Sequence, residues 1–239
     1  TDGRHAKVQY SLDWKEDSNR RDFSINAIYS DKDGNLFDPH NGKKDLENGS
    51  VKFIGNADER IQEDYLRILR YLRFFLNYSL NKHEPEIYKT IKRNIGGISK
   101  LSSERLIDEL KKLTKSSGFI RLFKDKESLE LIEIIFPQLK NLQILKKINS
   151  YAQKNLSKVD FTFLISLFII DRTDNADYFL YKFKNTKKDQ KRIKIIDDFY
   201  KQKVNINNFT EKNLNKVFYF DGRQAVIDII NFKLFISKK

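Results

Sequence analysis

The sequence predicts a small α+β segment followed by an all-α region. Eight of the nine glycines and two of the three prolines lie before residue 119, so turns are concentrated in the first half of the chain. Short apolar stretches between turns, typical of strands, occupy residues 1–54, and a period of 3.6 residues replaces them after Gly55. We therefore expect a mixed N-terminal part and a helical remainder.

Several short elements are expected in the mixed part. Alternating polarity predicts a strand at residues 6–10, and residues 23–26 follow a charged turn and begin a short helix. An Asp-Gly step at residues 33–34 lies between two short apolar stretches and predicts a hairpin. Residues 51–54 form one more predicted strand.

The helical pattern is clearest in two places. An apolar stripe predicts one helix over residues 57–77, and Ser102 or Ser103 can cap a second. The first stripe is Ile61, Tyr65, Leu69, Leu72 and Leu76, and the second is Leu106, Leu110 and Leu113. Further helices are predicted at residues 118–125, 128–136, 141–153, 158–171, 186–202 and 210–232.

The net charge of +13 is unevenly distributed along the chain. Residues 1–75 carry a net charge of −1, whereas residues 76–239 carry +14. A basic excess of this kind indicates a polyanionic partner, and nucleic acid is the leading candidate. Lysines that only solvate helix faces would give the same balance, so both interpretations stay open.

Composition also excludes some classes of protein. Cysteine is absent, which excludes disulfide partners, thiolate metal sites and a cysteine nucleophile. The longest apolar run, residues 161–170, is half the length that a bilayer requires, and no signal-peptide core is present. We expect no membrane partner and a cytoplasmic location. Methionine is absent and the sequence begins at Thr1, so we expect an N-terminally truncated fragment.

The segment EDYLRILRYLR is the most informative one. Glu63, Arg67 and Arg70 fall on one face of the predicted helix. A second, oblique stripe begins at Asp64 and ends at Arg73, about 13 Å further along the helix axis. A nucleoside triphosphate has a comparable length. A base at the first end and phosphates toward the second would fit this stripe.

Base selection follows from the hydrogen-bonding chemistry of this segment. A carboxylate only accepts hydrogen bonds, and a guanidinium only donates them. Cytosine and adenine present an amino donor beside a ring-nitrogen acceptor, whereas guanine and uracil present the opposite order. A fixed pair of Asp64 and Arg67 would therefore accept C or A and reject G or U. Spacing alone favours the alternative, a surface helix with i,i+3 and i,i+4 ion pairs.

A second cluster lies earlier in the chain, where Arg20 and Arg21 precede Asp22. Adjacent guanidiniums beside a carboxylate can hold phosphate and ribose oxygens in bidentate geometry. A salt-bridged turn would use the same residues, so both interpretations stay open at this point.

Five motifs occur in a fixed order: GRHA, RRDFSINAIY, DPHNGKKDL, RIQEDYLRILRYLRF and LSSERLIDEL. They resemble the class II tRNA nucleotidyltransferase (CCA-adding enzyme) and poly(A) polymerase family, closely over residues 1–115 and faintly beyond. The resemblance implies the α+β remnant of a polymerase-β-type nucleotidyltransferase head, followed by an all-α neck, body and tail. The implied boundaries are 1–54 for the head, 55–115 for the neck with its nucleotide-template helix, and 116–239 for an RNA-binding body and tail.

The resemblance also implies template-independent nucleotidyl transfer from CTP and ATP to the 3′ end of tRNA, with the tRNA acceptor end as partner. Asp64 and Arg67 would template the base, and Glu63 would position them. The other residues that it assigns to nucleotide binding are Arg21, Asp22, Asn26, Arg70 and Arg73. A bacterial poly(A) polymerase or a CC- or A-adding variant would share them. A non-catalytic basic helical RNA-binding module is the alternative from another class.

The family uses Mg²⁺ held by an Asp-x-Asp pair on a strand next to a Gly-rich loop, and neither motif precedes the RRD segment here. We therefore expect no catalytic residue and no metal ligand in this chain, and an inactive isolated fragment. Asp31-Lys32-Asp33 matches the Asp-x-Asp pattern, but we interpret these residues as a turn.

A basic run at residues 182–203 is the candidate RNA contact. Binding to the phosphates of a tRNA acceptor stem is the functional interpretation, and a solvated helix face is the alternative. The candidate RNA-binding residues are Lys184, Lys187, Lys188, Lys191, Arg192 and Lys194.

Overall fold

The computed structural model describes residues 13–201 and 209–237. The chain forms two compact units, residues 1–100 and residues 101–239. The strand predicted at residues 6–10 lies outside the described residues. The finer division into head, neck, body and tail stays a prediction.

The first unit begins with short elements. Helix α1 (Trp14–Asn19) is capped by the side chain of Asp13, and a 3₁₀ turn covers Ser24–Asn26. Strand β1 (Tyr29–Ser30) pairs antiparallel with β2 (Leu36–Phe37). The predicted short helix and hairpin are thus confirmed.

Helix α2 (Gly42–Glu47) follows the hairpin. The Asp38 carboxylate accepts the backbone N–H groups of Gly42 and Lys43 at 2.7 and 2.9 Å. A Cβ on Gly42 would lie 2.2 Å from the carbonyl oxygen of Ser24, so only glycine allows this close approach. The turn and the 3₁₀ segment are therefore packed backbone against backbone.

The strand predicted at residues 51–54 is wrong, because the structure reduces it to one isolated bridge between Phe23 and Phe53. The Ile54 N–H donates to the Asp22 carbonyl at 3.1 Å, and the Ser24 N–H donates to the Lys52 carbonyl at 3.1 Å. Beyond Ser24 the chain turns into its 3₁₀ segment, so the pairing cannot continue.

The single helix predicted over residues 57–77 is also wrong, because it consists of α3 (Ala57–Glu63) and α4 (Leu66–Tyr78). Asp64 between them has extended angles, φ −151° and ψ 102°. Its carboxylate accepts the Leu66 N–H at 3.1 Å, which caps the start of α4 in place of a continuous helix.

Aromatic rings anchor the buried face of α4. The Tyr71 ring stacks 5.7 Å from the Phe53 ring, and its hydroxyl is hydrogen-bonded to Nδ1 of His83 at 3.0 Å. The His83 ring stacks 3.6 Å from Phe75. This packing fixes the rotation of α4 and hence the direction of its polar face.

Helix α5 (Pro85–Asn94) and a 3₁₀ turn over Ile95–Lys100 complete the first unit. Neither was predicted, although Ile87, Tyr88 and Ile91 recur at helical spacing and Pro85 lies in the first turn of α5. The Asn94 side chain donates to the Asp58 carboxylate at 2.7 Å and joins α5 to α3.

The described part of the second unit contains helices only. Its α-helices are α6 (Ser103–Lys115), α7 (Lys126–Ile135), α8 (Ser150–Asn155), α9 (Phe161–Ile169), α10 (Asn175–Phe183), α11 (Lys187–Lys201), α12 (Glu211–Asp221) and α13 (Arg223–Ile236). The 3₁₀ turns cover Ser117–Phe123, Leu142–Lys147 and Leu156–Lys158. No helix in the described ranges combines the length and hydropathy needed to cross a bilayer.

Two predicted helices of this unit are interrupted. The one at residues 141–153 divides where Asn149 accepts the Ala152 N–H and caps α8. The one at residues 210–232 divides at Gly222, whose φ of +83° ends α12 and begins α13. Helix α10 was not predicted.

Candidate functional site

Asp22 lies in an irregular segment that the core holds in place. Its backbone carbonyl is bonded to Ile54, and the ring of the next residue, Phe23, is fully buried 4.9 Å from the ring of Phe53. The Asp22 side chain is 8% exposed. A carboxylate at this depth requires cationic partners.

Two arginines of α4 supply these partners. Arg67 Nε donates to Asp22 Oδ1 at 2.6 Å, and Arg70 Nη1 donates to Asp22 Oδ2 at 2.6 Å. Burial alone would raise the pKa of the Asp22 carboxyl, but the hydrogen bonds from Arg67 and Arg70 outweigh it and hold the pKa below its ordinary value. The two clusters noted in the sequence thus form one network.

Arg67 has two further hydrogen-bond partners. Its Nη1 donates to Glu63 Oε2 at 2.6 Å and to the Arg60 carbonyl at 2.5 Å, and its side chain is 11% exposed. Burial would lower the pKa of Arg67, but Glu63 and Asp22 raise it above its ordinary value. Nη2 makes no hydrogen bond among the described residues. The guanidinium is therefore held through two of its three nitrogens.

Asp64 occupies the break before α4. Its carboxylate caps Leu66, and its carbonyl accepts the Arg67 N–H at 3.0 Å. The predicted template pair therefore lies within one turn at a helix start. An acceptor and a donor so placed have the chemistry required to recognise an amino group beside a ring nitrogen.

The structure gives Arg21 and Asn26 local partners. Nε and Nη2 of Arg21 donate to Asp17 Oδ2 at 3.2 and 2.7 Å, and the Tyr29 hydroxyl donates to the same oxygen at 2.7 Å. The side chain of Asn26 accepts the Phe23 N–H at 3.0 Å and stabilises the 3₁₀ turn. Arg21 is half exposed, so its guanidinium stays reachable from solvent.

Arg73 lies one turn beyond Arg70 on α4 and is partly buried, with its guanidinium carbon 4.7 Å from the centre of the Phe74 ring. Hydrogen bonds therefore link four predicted residues in a chain, from Glu63 to Arg67, from Arg67 to Asp22 and from Asp22 to Arg70. Arg73 follows them along the helix. Their role in nucleotide binding stays a prediction.

Sequence reasoning missed Arg60, which donates to Glu63 Oε2 at 2.7 Å and to the carbonyl of Arg21 at 2.7 Å. The i,i+3 spacing from Arg60 to Glu63 was the available signal. The contact with the earlier segment, 39 residues away in sequence, has no local signature.

Metal-ligating side chains are not clustered in the described part of the chain. Within residues 13–201 and 209–237, no three histidine or carboxylate side chains come close enough to hold a metal ion. Asp31 accepts the N–H groups of Asp33 and Asn35 at 2.9 and 2.8 Å and the Asn35 side chain at 2.8 Å. This confirms that Asp31-Lys32-Asp33 serves as a turn.

The candidate RNA-binding residues divide into two kinds. The five lysines are exposed around the start of α11, although Lys191 lies 3.3 Å from Asp221 and Lys194 lies 3.7 Å from Asp177. Their contact with RNA stays a prediction. Arg192 differs, because its side chain is 20% exposed and carries strong internal ion pairs.

Arg192 ties three helices together. Its Nε and Nη2 donate to the buried Asp228 at 2.5 and 2.8 Å, and Nη1 donates to Asp160 at 2.5 Å. Asp160 caps α9 and Asp228 lies on α13. The hydrogen bond to Asp228 raises the pKa of Arg192 well above its ordinary value despite burial. A structural role accounts for all of these contacts.

Two family models match this chain. The model described as the poly(A) polymerase head domain matches residues 1–52. The model described as the probable RNA- and SrmB-binding site of polymerase A matches residues 82–143.

Curated relatives carry matching names. The CCA-adding enzyme of Staphylococcus haemolyticus is 32% identical over 230 residues, which cover 95% of this chain and 54% of that protein. The mitochondrial CCA tRNA nucleotidyltransferase 1 of Homo sapiens is 49% identical over 115 residues, 47% of this chain and 26% of that protein. The chain spans about a quarter to about half of the length of these relatives.

Solved structures share the fold. The Bacillus stearothermophilus CCA-adding enzyme in complex with CTP has a TM-score of 0.71 and 20% identity, covering 95% of this chain and 56% of that one. The Thermotoga maritima CCA-adding enzyme in complex with tRNA has a TM-score of 0.62 and 18% identity, covering 95% and 58%.

The fold is that of a nucleotidyltransferase, with part of a head and a helical region as predicted. Along the chain, the match to the head-domain model precedes the match to the polymerase A binding-site model. Over most of its length the chain is therefore similar to members of the tRNA nucleotidyltransferase (CCA-adding enzyme) and poly(A) polymerase family.

Proposed function

We propose that this chain is the base-selecting and RNA-binding part of an enzyme that adds nucleotides from CTP and ATP to the 3′ end of tRNA without a nucleic-acid template. The observation that carries the proposal is the Arg67 guanidinium, which Asp22 and Glu63 hold beside the start of α4. A nucleotide template made of protein requires a donor and an acceptor whose order cannot change, and this network restrains the donor.

The proposed pair of Asp64 and Arg67 would select cytosine and adenine. The carboxylate of Asp64 would accept from the amino group of cytosine or adenine, and Arg67 would donate to the neighbouring ring nitrogen. Uracil and guanine would place a carbonyl against the carboxylate and an N–H against the guanidinium. Both contacts would then be repulsive.

The triphosphate and ribose would lie along the arginines. Arg70 is 35% exposed despite its bond to Asp22, and Arg21 is more exposed. With Arg73 they form a cationic series suited to phosphate oxygens. Asp22 and Asn26 would shape the pocket, the first through its two arginines and the second through the 3₁₀ turn. We propose no described residue as a ligand of Mg²⁺.

The names of the relatives support this assignment. Neighbours with the same fold are described as CCA-adding enzymes in complexes with CTP, ATP and tRNA. Addition of CC, of A alone or of poly(A) would use the same template pair. Assays of the whole protein on tRNAs ending before CCA, before the final A, or at a complete end would separate these activities.

RNA binding without catalysis is the second candidate, and the exposed lysines at the start of α11 favour it. Neutralising phosphates would release counterions, so tRNA affinity should fall steeply as salt concentration rises. A flat salt response would eliminate electrostatic RNA binding by this chain.

Nucleotide binding to the 239-residue chain tests the main proposal. Calorimetry should show CTP and ATP binding at least about tenfold more tightly than UTP and GTP, since a well-placed base contact discriminates by about 1–3 kcal/mol. Arg67→Gln should abolish this preference. Arg93→Gln is the matched control, because Arg93 forms an exposed ion pair with Asp58 outside the network. Equal affinity for all four nucleotides would refute the base-selecting role.

A further inference from the structure

Arg60 joins the parts of the candidate site that are distant in sequence. Its side chain lies near the end of α3 and is 15% exposed. The guanidinium donates to Glu63 Oε2 at 2.7 Å. The same group donates to the carbonyls of Arg21 at 2.7 Å and Arg20 at 3.3 Å. Its own carbonyl accepts from Arg67 Nη1 at 2.5 Å.

These bonds close a ring. Arg60 is bonded to the Arg21 carbonyl, Asp22 is the next residue along the chain, and the Asp22 carboxylate holds Arg67 Nε. Arg67 then returns to the Arg60 carbonyl. In such a ring the position of each member restrains the others, so loss of one side chain loosens Arg67 even where its own bonds could persist.

The ring also spans the break at Asp64. Without a continuous helix, α3 and α4 have no backbone hydrogen-bond ladder across this point. The bonds of Arg67 to Glu63 and to the Arg60 carbonyl connect the two helices instead. The break is where the predicted template carboxylate lies, so its geometry depends on these cross-links.

An arginine at position 60 buries an N–H group at a cost in folding free energy. Nε of Arg60 is buried and has no hydrogen-bond partner in the described part of the chain. A lysine could pair with Glu63 without burying an unsatisfied N–H group. A planar guanidinium is required to contact a carboxylate on one side and backbone carbonyls on the other. The geometry, rather than the ion pair alone, accounts for arginine.

We propose that Arg60 is a positioning residue that holds the Arg67 guanidinium in the orientation required for base selection. Its effect on selectivity rests on the proposed function. Its effect on the mobility of Arg67 does not, because that effect follows from the hydrogen-bond ring alone.

The test compares Arg60→Lys and Arg60→Gln with Arg93→Gln in the 239-residue chain. Circular dichroism establishes which variants are folded, and the lysine variant keeps the charge if the glutamine variant does not fold. The first readout is the solvent exchange rate of the Arg67 Nε–H by ¹⁵N NMR, with the resonance assigned by its loss in Arg67→Lys. We expect exchange about tenfold faster in the Arg60 variants, equivalent to about 1.4 kcal/mol, and no change in the control.

The second readout is the ratio of UTP to CTP dissociation constants, which should fall about tenfold in the Arg60 variants. Unchanged Arg67 exchange in folded Arg60 variants would overturn the positioning role, whatever the nucleotide data show. Faster exchange with an unchanged ratio would overturn its link to selectivity. If the unsubstituted chain shows no nucleotide preference, the proposed function fails, and the exchange rates still decide the role of Arg60.

Discussion

Replacement of Asp22 by asparagine is the most direct perturbation of the candidate site. The substitution keeps the shape of the side chain but removes the charge that faces Arg67 and Arg70. An amide also places an NH₂ group against one of the two guanidiniums. The variant therefore leaves two cations close together with one acceptor oxygen.

The expected loss is worked from burial. Removing one partner of a buried ion pair costs about 3–5 kcal/mol. Arg67 is 11% exposed and meets this condition, whereas Arg70 is 35% exposed and water can screen it. Retention of one hydrogen bond by the amide lowers the cost further, so we expect Asp22→Asn to reduce the free energy of unfolding by about 2–3 kcal/mol.

Urea unfolding followed by tryptophan fluorescence measures this loss. Trp14 is the single tryptophan, and its ring is stacked 5.9 Å from Tyr29, so it reports on the first unit. Asp58→Asn is the matched control, since Asp58 pairs with the exposed Arg93. The control should lose clearly less stability. An equal loss in both variants would refute the idea that the Asp22 network is the strongly coupled one.

The same variant has a defined pH dependence. Because the pKa of Asp22 is lowered in the folded state, its contribution is complete above the unfolded pKa of about 3.9 and is lost as pH falls toward the folded value. The stability difference between the original chain and Asp22→Asn should therefore shrink below about pH 4. A difference that grows on acidification would contradict the assigned shift.

Two further substitutions have matched controls. Gly42→Ala should lower the free energy of unfolding by about 2 kcal/mol or more, because the added methyl group meets a backbone carbonyl, whereas Gly96→Ala has open space and should be neutral in the same urea experiment. Arg192→Gln should destabilise the second unit by about 3 kcal/mol in thermal unfolding, because Asp228 is left buried without its cation. Lys191→Gln, at an exposed pair, should be far milder and should instead weaken tRNA binding. Equal unfolding temperatures for Arg192→Gln and Lys191→Gln would contradict the structural role.

Local patterns were sufficient for part of the fold. The stripe from Ile61 to Leu76 identified the buried face correctly, since periodicity reports which side chains avoid water. The break at Asp64 was invisible, because Asp64 and Tyr65 fit the helical period and the cap forms through a side chain. Helix α5 was missed although Ile87, Tyr88 and Ile91 have helical spacing, and its link to α3 through Asn94 and Asp58 has no local signal.

The candidate site shows the same limit. The i,i+4 pair of Glu63 and Arg67 could be predicted from spacing. The bond from Arg67 to Asp22 spans 45 residues, and it depends on the single bridge between Phe23 and Phe53. Local sequence patterns do not predict a bridge between residues so far apart in the sequence. Only the family resemblance therefore placed Arg67 and Asp22 in one pocket. The RNA-contacting lysines, the domain boundaries and the cytoplasmic location stay predictions.

The two irregular points of the first unit, rather than its regular elements, position the side chains of the candidate site. Asp22 lies where strand pairing stops after one bridge, and Asp64 lies where one helix ends and another begins. Ion pairs at such points contribute less to stability than apolar packing of the same volume would. They do, however, restrict Arg67 to one position, because its Nε and Nη1 are both bonded within the protein. In the proposed function, C and A differ from G and U in the order of a hydrogen-bond donor and an acceptor on the base. A guanidinium that reads this order must be fixed before the nucleotide binds, because a mobile one could rotate to suit either order.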